Sequence, residues 1–442
     1  MENTTIKYDF KEYVKSQFEK LQSTLNGSVG SELNLLRKNA FDKFFLSGLP
    51  TLKSENWKYT NLAFLNKLSF TDSYSNVDLS KLETSKLFYN SLKSHKIYLI
   101  NGKLDENLSS NFNSVNGLKI EYFENISING VGDYANYYGK LTSMSEHPFA
   151  NINTALADNL LVVNISPGVI IEDILQIINI NISNEGALLT NPRILVISGK
   201  SSSAKIVENN YTLGDFPVVR NLVKEFYLEE NAHLNYYKIQ DDSNNSHLFD
   251  FTHAEQKRDS HLDEAAISIN GKFVRNDLRS TLDGENIESH YYGIFIVGAN
   301  DFVDNHTFVD HAKPNSYSNE NYRGVAFDKG TGVFNGKIMV RRDAQKTNAY
   351  QSNKNVLLSD SATINTKPEL EIYADDVKCS HGATSGSIDK TSMFYLRQRG
   401  IEKKVAERLL LFAFVNEVVN EIKIEQLREL IDLRIEEKLL NI

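Results

Sequence analysis

For roughly 280 residues, from about Lys96 to Lys378, the chain alternates short aliphatic and β-branched runs with turn-forming Asn, Asp, Ser and Gly, and no long helical period interrupts them. Ile97-Tyr98-Leu99-Ile100, Leu160 to Ile165, Val169 to Ile182 and Ile194 to Ser198 are examples. A doubly wound α/β fold needs a helix between successive parallel strands, so this texture argues against one. A sandwich, a propeller or a β-solenoid remains. Val169-Ile170-Ile171 is continuously apolar, as in a strand buried on both faces. Ile178, Ile180 and Ile182 alternate with Asn179 and Asn181, as in a strand with one packed and one wet face. Asn recurs at turns because it tolerates left-handed backbone geometry. No strict short repeat is legible, so texture alone does not choose the β-helix.

The flanks differ. Over 1–95, Phe10, Val14, Phe18 and Leu21 recur at helical steps along one face. A second segment from Ser31 carries Leu35, Leu36, Ala40, Phe44 and Phe45 and stops at Gly48 and Pro50. Both predict amphipathic helices packed on something larger. Helix returns over 386–442. Asp389 can cap a first helix, with Arg397 and Arg399 in its last turn and Gly400 ending it. A second runs from about Glu402 to Asn420 along Val405, Leu409, Phe412 and Val419. A third carries Ile424, Leu427, Ile431, Ile435 and Leu439. Leu409 to Phe412 and Phe414 spread over more than one face, more apolar surface than a peripheral helix needs, which hints at a partner. The expected organisation is a helical region over 1–95, a β core over 96–385 and a helical domain over 386–442.

With 442 residues and a formal charge of −9, the chain can bury a large core and carries no basic excess for nucleic acid. One cysteine, Cys379, excludes an intramolecular disulfide and a CxxC site. Met1 to Ser16 lacks an apolar signal segment. The longest purely apolar run, Leu409 to Val415, falls far short of the ~20 residues that span a bilayer. A soluble, cytosolic protein without membrane contact is expected.

One constellation stands out chemically. Cys379 and His381 are two apart at the end of the β-like run Leu370 to Lys378, so an extended backbone points both to one side, ~7 Å apart at Cα. A thiol and an imidazole on one face could hold a soft metal or iron, or act as nucleophile and base; equally, a lone cysteine can be a small buried hydrophobe. His306 and His311, at odd spacing, face opposite ways on a strand and make a poor metal pair. Asp241-Asp242 and Asp375-Asp376 suggest a carboxylate glycosidase only if they leave the turns they adjoin. Gly330-Thr331-Gly332 lacks the spacing and lysine of a phosphate loop, so no ATP is expected to bind.

Longer blocks carry a resemblance. Asp375-Asp376-Val377-Lys378-Cys379-Ser380-His381-Gly382-Ala383-Thr384, followed by Phe394-Tyr395-Leu396-Arg397-Gln398-Arg399-Gly400-Ile401, is similar to the SufD family of iron–sulfur cluster assembly subunits. Glu55 to Thr60, Asn151 to Leu156, Asp304 to His311 and Asn365 to Ala374 match in the same order, so the resemblance spans about 55–401. It implies a right-handed parallel β-helix core between N- and C-terminal helical regions. It further implies pairing of the core with SufB and docking of the C-terminal domain on SufC, the ATPase. The related SufB chains carry a cysteine where this chain has Asn353, and a His-Glu pair near Ser380-His381-Gly382, so the form here is that of SufD.

The resemblance therefore implies a non-catalytic subunit that helps to build and release a transient iron–sulfur cluster shared with SufB. His381 would ligate or orient the cluster, with Cys379 a second participant. Phe394, Tyr395, Leu396, Arg397, Arg399, Leu409 and Phe412 would form the SufC-binding end. A flavin belongs, if anywhere, to the assembled complex. A homodimeric or SufB-like primary scaffold is the competing expectation, opposed by Asn353 and the single cysteine. A β-helical carbohydrate-active enzyme is the remote one.

Overall fold

The computed structural model describes residues 9–24, 32–71, 82–112, 115–143, 146–440 and 442. Strand outweighs helix, 42% against 26%, and the strands form a β-solenoid of about eight turns. Successive strands alternate between two sheets. Ser203–Leu213, His233–Asp241, His261–Asn270, Glu288–Val297, Tyr317–Ala326, Asn348–Leu357 and Lys378–Gly386 stack in parallel in the first. Val218–Leu228, Ser246–Gln256, Phe273–Leu282, Phe302–His311, Thr331–Val340 and Thr363–Ile372 stack in the second. The ladders run almost without slips, so equivalent side chains sit above one another rung after rung.

The corners explain both the Asn-rich turns and the missing repeat. Ser201, Asn231, Asp259, Asn286, Asn315 and Lys346 all take positive φ, between 56° and 65°, at one corner of consecutive rungs. Short polar side chains tolerate this left-handed backbone, and four of the six residues are Asn or Asp. Rung length varies: the ladder steps 27 residues from His261 to Glu288 but 31 from Tyr317 to Asn348. A repeat of unequal length leaves no strict sequence period.

The inner faces of both sheets make one continuous apolar core that includes Ile206, Leu234, Leu262, Phe295, Phe334 and Ile338, all buried. The outer face of the first sheet, with Tyr237, Ile267, Ile294 and Val325, is covered by the helices Lys403–Val419 and Glu425–Leu440. Arg434 donates to both oxygens of Asp241, at 2.6 and 3.1 Å, and Arg323 pairs with Glu417 across this junction. The outer face of the second sheet receives Phe10–Ser23 and the segment around Trp57 through Phe10, Phe44, Trp57, Phe149 and Phe249. Helices thus cover the sides of the solenoid, as the sequence predicts for both flanks. The helix Glu32–Ser47 buries Ala40 and Phe44 but leaves Leu35 exposed.

The structure departs from the sequence reading in several places. Val169-Ile170-Ile171 precedes the strand Leu175–Ile182 and leaves Ile170 exposed, and Asn179 and Asn181 are buried, so that strand has no wet face. Short helices, Ile126–Asn129 and Lys140–Ser143, also interrupt the stretch. Pro148–Leu156 is a helix inside the stretch that reads as strands, and eight of its nine residues are buried. Nine residues are too few to establish a helical period, and its Asn153 and Thr154 are spent on buried hydrogen bonds rather than on a wet face.

The two ends of the solenoid are unlike. At the N-terminal end, Lys103–Leu104 and Leu118–Glu124 pair antiparallel to the first strands, and Leu104, Phe112, Ile120 and Tyr122 pack against the core. At the C-terminal end the sheets stop on the full-length parallel strands Lys378–Gly386 and Thr363–Ile372, none of whose residues is buried. Among the described residues no helix is long and apolar enough to cross a membrane.

Candidate functional site at the open rung

Register decides where the Cys-Ser-His segment points. Cys379, His381, Ala383 and Ser385 lie on Ala349, Gln351, Asn353 and Asn355, all of which are buried in the solenoid interior. His381 therefore occupies an inward position of the last rung. It is exposed because no further rung covers it. Cys379, on the same face, is half-buried and packs against the core. Burial pushes its thiol pKa up, and a backbone hydrogen bond at Ala349 offsets only part of that. Cys379 is thus a protonated thiol at neutral pH in the isolated chain, without the low-pKa setting that activates cysteines.

Beneath His381 the interior is polar along one column. Tyr236, Glu264, Tyr291, Glu320, Gln351 and His381 occupy equivalent positions on successive strands. Gln351 Nε2 donates to Glu320 Oε1 at 3.3 Å, and Thr307 Oγ1 donates to the other oxygen. Gly336 makes room for this: a Cβ there would lie 2.4 Å from Gln351 Nε2. Burial pushes the Glu320 carboxyl up to about 7. Deeper in, Lys224 bridges Glu208 and Asp250 at 2.8 and 2.7 Å, and Lys238 meets Glu264 at 2.7 Å, all fully buried. Sequence reasoning missed the column because its members stand 27 to 31 residues apart; only the ladder register brings them together.

The remaining sequence candidates are structural. His306 faces outward and bonds Asp304 at 3.0 Å, whereas His311 is buried with Nε2 on Ser318 Oγ at 2.8 Å, the opposite facing that odd spacing predicts. Asp241 is tied to Arg434, and Asp242 accepts from Thr212 and Arg220. Asp375 and Asp376 lie exposed at a corner, and Gly330 sits in the turn entering Thr331–Val340. Asn353 is fully buried and bonds Asn355.

The Glu55 to Thr60 block forms a second polar centre beside a groove of about 830 Å³. The Arg275 guanidinium lies 3.6 Å from the Trp57 ring centroid and pairs with Asp277 and Asp304, each at 2.8 Å. Thr60 donates to Asp304, and His147 bonds Asp277 at 3.0 Å. Burial alone would raise the Asp277 carboxyl, but Arg275 and His147 outweigh it and hold it well below the usual range. This network pins the N-terminal segment to the second sheet.

At the other flank, Asp389 accepts from Thr391 N and Ser392 N to cap Lys390–Gln398, and Gly400 ends it at φ +84°. No residue of that helix is buried; Phe394 and Tyr395 are 61% and 57% exposed. Arg399 donates to Tyr395 Oη at 2.8 Å, and Arg397 to the Ile401 carbonyl at 3.0 Å. Leu396 is half-buried and Leu409 exposed, while Phe412 packs against the cluster beneath the helices.

Residues 180–414 match the SufBD core domain of the SUF iron–sulfur cluster assembly system, and residues 9–177 match the SufBD N-terminal region. An iron–sulfur cluster assembly SufBD family protein of Synechocystis is 28% identical over 417 residues, 92% of each chain. The iron–sulfur cluster assembly protein SufD of Escherichia coli is 28% identical over 395 residues, 89% of this chain and 90% of its own. SufD of Bacillus subtilis is 28% identical over 295 residues, 65% of each. A two-sheet solenoid flanked by helices, matched along nearly its whole length, belongs to the SufBD family of iron–sulfur cluster assembly proteins.

Proposed function

We propose that the chain is the SufD-type, non-catalytic subunit of a SufB–SufC–SufD complex, pairing with SufB at its open C-terminal rung. The observation that carries this is the asymmetry of the ends: one finishes in antiparallel strands, the other stops on full-length parallel rungs, with His381 exposed on an inward position. Stacked repeats need a cap, and an uncapped rung presents free backbone donors and acceptors that a second sheet edge can satisfy. Pairing there would enclose His381 between two solenoids. A neutral imidazole is a known ligand type for iron in clusters, and there it would help to ligate or orient a nascent cluster. SufB would supply the sulfur-carrying thiolate. Cys379, protonated and half-buried when the chain is alone, would contribute only if pairing lowers its pKa.

The unpartnered helix Lys390–Gln398, with Phe394, Tyr395, Leu396, Arg397 and Arg399, and the exposed Leu409 beside it, would receive SufC, where ATP is hydrolysed. Movement of that helical end on SufC dimerisation would reach the open rung through the helices packed on the first sheet.

Anaerobic co-expression with SufB and SufC tests the reading, comparing wild type with His381→Ala for iron, labile sulfide and visible absorbance. An assembled complex with collapsed cluster content in the variant is expected. Unchanged content would overturn the role of His381, and failure of the wild type to co-purify with SufB would overturn the pairing.

A further inference from the structure

We propose that the outer face of the first sheet carries a site for a divalent first-row transition ion, built from His261, Asp263 and His290 and completed by Glu288. In-register stacking makes the grid. His261 and Asp263 are two apart on one strand, and the ladder sets Glu288 against His261 and His290 against Asp263. Neighbouring strands lie ~4.8 Å apart, and residues two apart on a strand ~6.8 Å apart, so four side chains share one small patch. One ligand atom from each of His261, Asp263 and His290 lies within 4.8 Å of the others. A tetrahedral site with ~2.1 Å bonds has edges of ~3.4 Å, a contraction that torsions of partly exposed rings supply.

The donors are already oriented toward one another. His261 Nε2 lies 2.9 Å from Asp263 Oδ1, and His290 Nε2 lies 2.9 Å from Glu288 Oε1. The other Glu288 oxygen is 3.9 Å from His261 Nδ1. Asn235 Nδ2 donates to Asp263 Oδ2 at 2.8 Å, an outer partner that fixes the carboxylate and leaves Oδ1 toward the histidines. His290 Nδ1 is buried without a hydrogen-bond partner. His233 stacks on His261 at 5.6 Å, and Lys423, before the last helix, is close enough to act electrostatically on His261. Two imidazoles and two carboxylates without a thiolate suit iron(II), zinc(II) or their neighbours rather than copper(I) or a preformed cluster. The site stands on its own geometry and does not rest on the SufD-type role.

The test is cobalt(II) titration of the chelator-stripped full-length chain, read by visible ligand-field absorption and equilibrium dialysis. One bound cobalt per chain is expected, with affinity falling about tenfold or more in both His261→Ala and His290→Ala. His95→Ala, on a strand outside the cluster and paired with Asp173, is expected to bind as wild type does. Glu288→Gln, at an exposed carboxylate, gives a weakened site without disturbing the sheet and serves if a histidine variant misfolds. Displacement by iron(II) under anaerobic conditions, or by zinc(II), identifies the preferred ion. No cobalt uptake by wild type would overturn the proposal, as would wild-type affinity retained in both His261→Ala and His290→Ala.

Discussion

Arg275 illustrates how much a single buried cation holds. Its guanidinium pairs with Asp277 and Asp304 and stacks on Trp57, so Arg275→Ala would strand two buried carboxylates. A loss of about 3–5 kcal/mol is expected, measured by urea unfolding at neutral pH. Glu320 works the other way. Its carboxyl is pushed up to about 7 by burial, above the unfolded value of 4.5, so its protonated form stabilises the fold at low pH and that contribution is lost as pH rises toward 7. Glu320→Gln is therefore expected to stabilise the chain by about 3 kcal/mol at pH 8 and by little at pH 4. An equal effect at both pH values would show that the carboxyl is not held protonated. At this scale the sequence was partly legible. Cys379 and His381 stand out because their types and spacing are local, whereas Glu320 and Gln351 acquire meaning only from the register that stacks them under His381.

Among elements, the helix Lys390–Gln398 is specified by its own residues and little supported by packing. Asp389 caps it, Gly400 stops it, and none of its residues is buried. Asp389→Ala is expected to weaken it by about 1 kcal/mol, seen as faster amide exchange at Thr391 and Ser392 with global stability unchanged. Its start, its end and the two helices after it are all visible in the sequence, because caps and amphipathic periods are local signals. The strands are visible too, but their pairing is not. Unequal rungs of 27 to 31 residues erase the period, and the buried helix Pro148–Leu156 is too short to show one.

For the whole molecule, buried histidines set the acid limit. Burial pushes His247 and His253 down to about 4 and His311 down to about 3, all below the unfolded 6.5. Each is neutral in the fold and must charge on unfolding in acid, so the stability it contributes is present above pH 6.5 and is lost as pH falls toward 4. Between pH 7 and pH 5 the three are expected to remove about 5 kcal/mol, and protonation of Glu320 to return about 2. Urea midpoints should thus fall markedly over that interval, and further in Glu320→Gln. The same long-range order that buries these groups ends one side of the solenoid in antiparallel strands and the other in full-length parallel rungs, and the proposed pairing with SufB depends on that contrast. The most direct measurement places a photo-crosslinking residue at Ser380 or Thr384 on the open rung and, as a control, at Lys103 on the N-terminal end, in cells that also express SufB and SufC. Crosslinks to SufB from the open rung and none from Lys103 are expected. Crosslinks from Lys103 with none from the open rung would contradict the assignment.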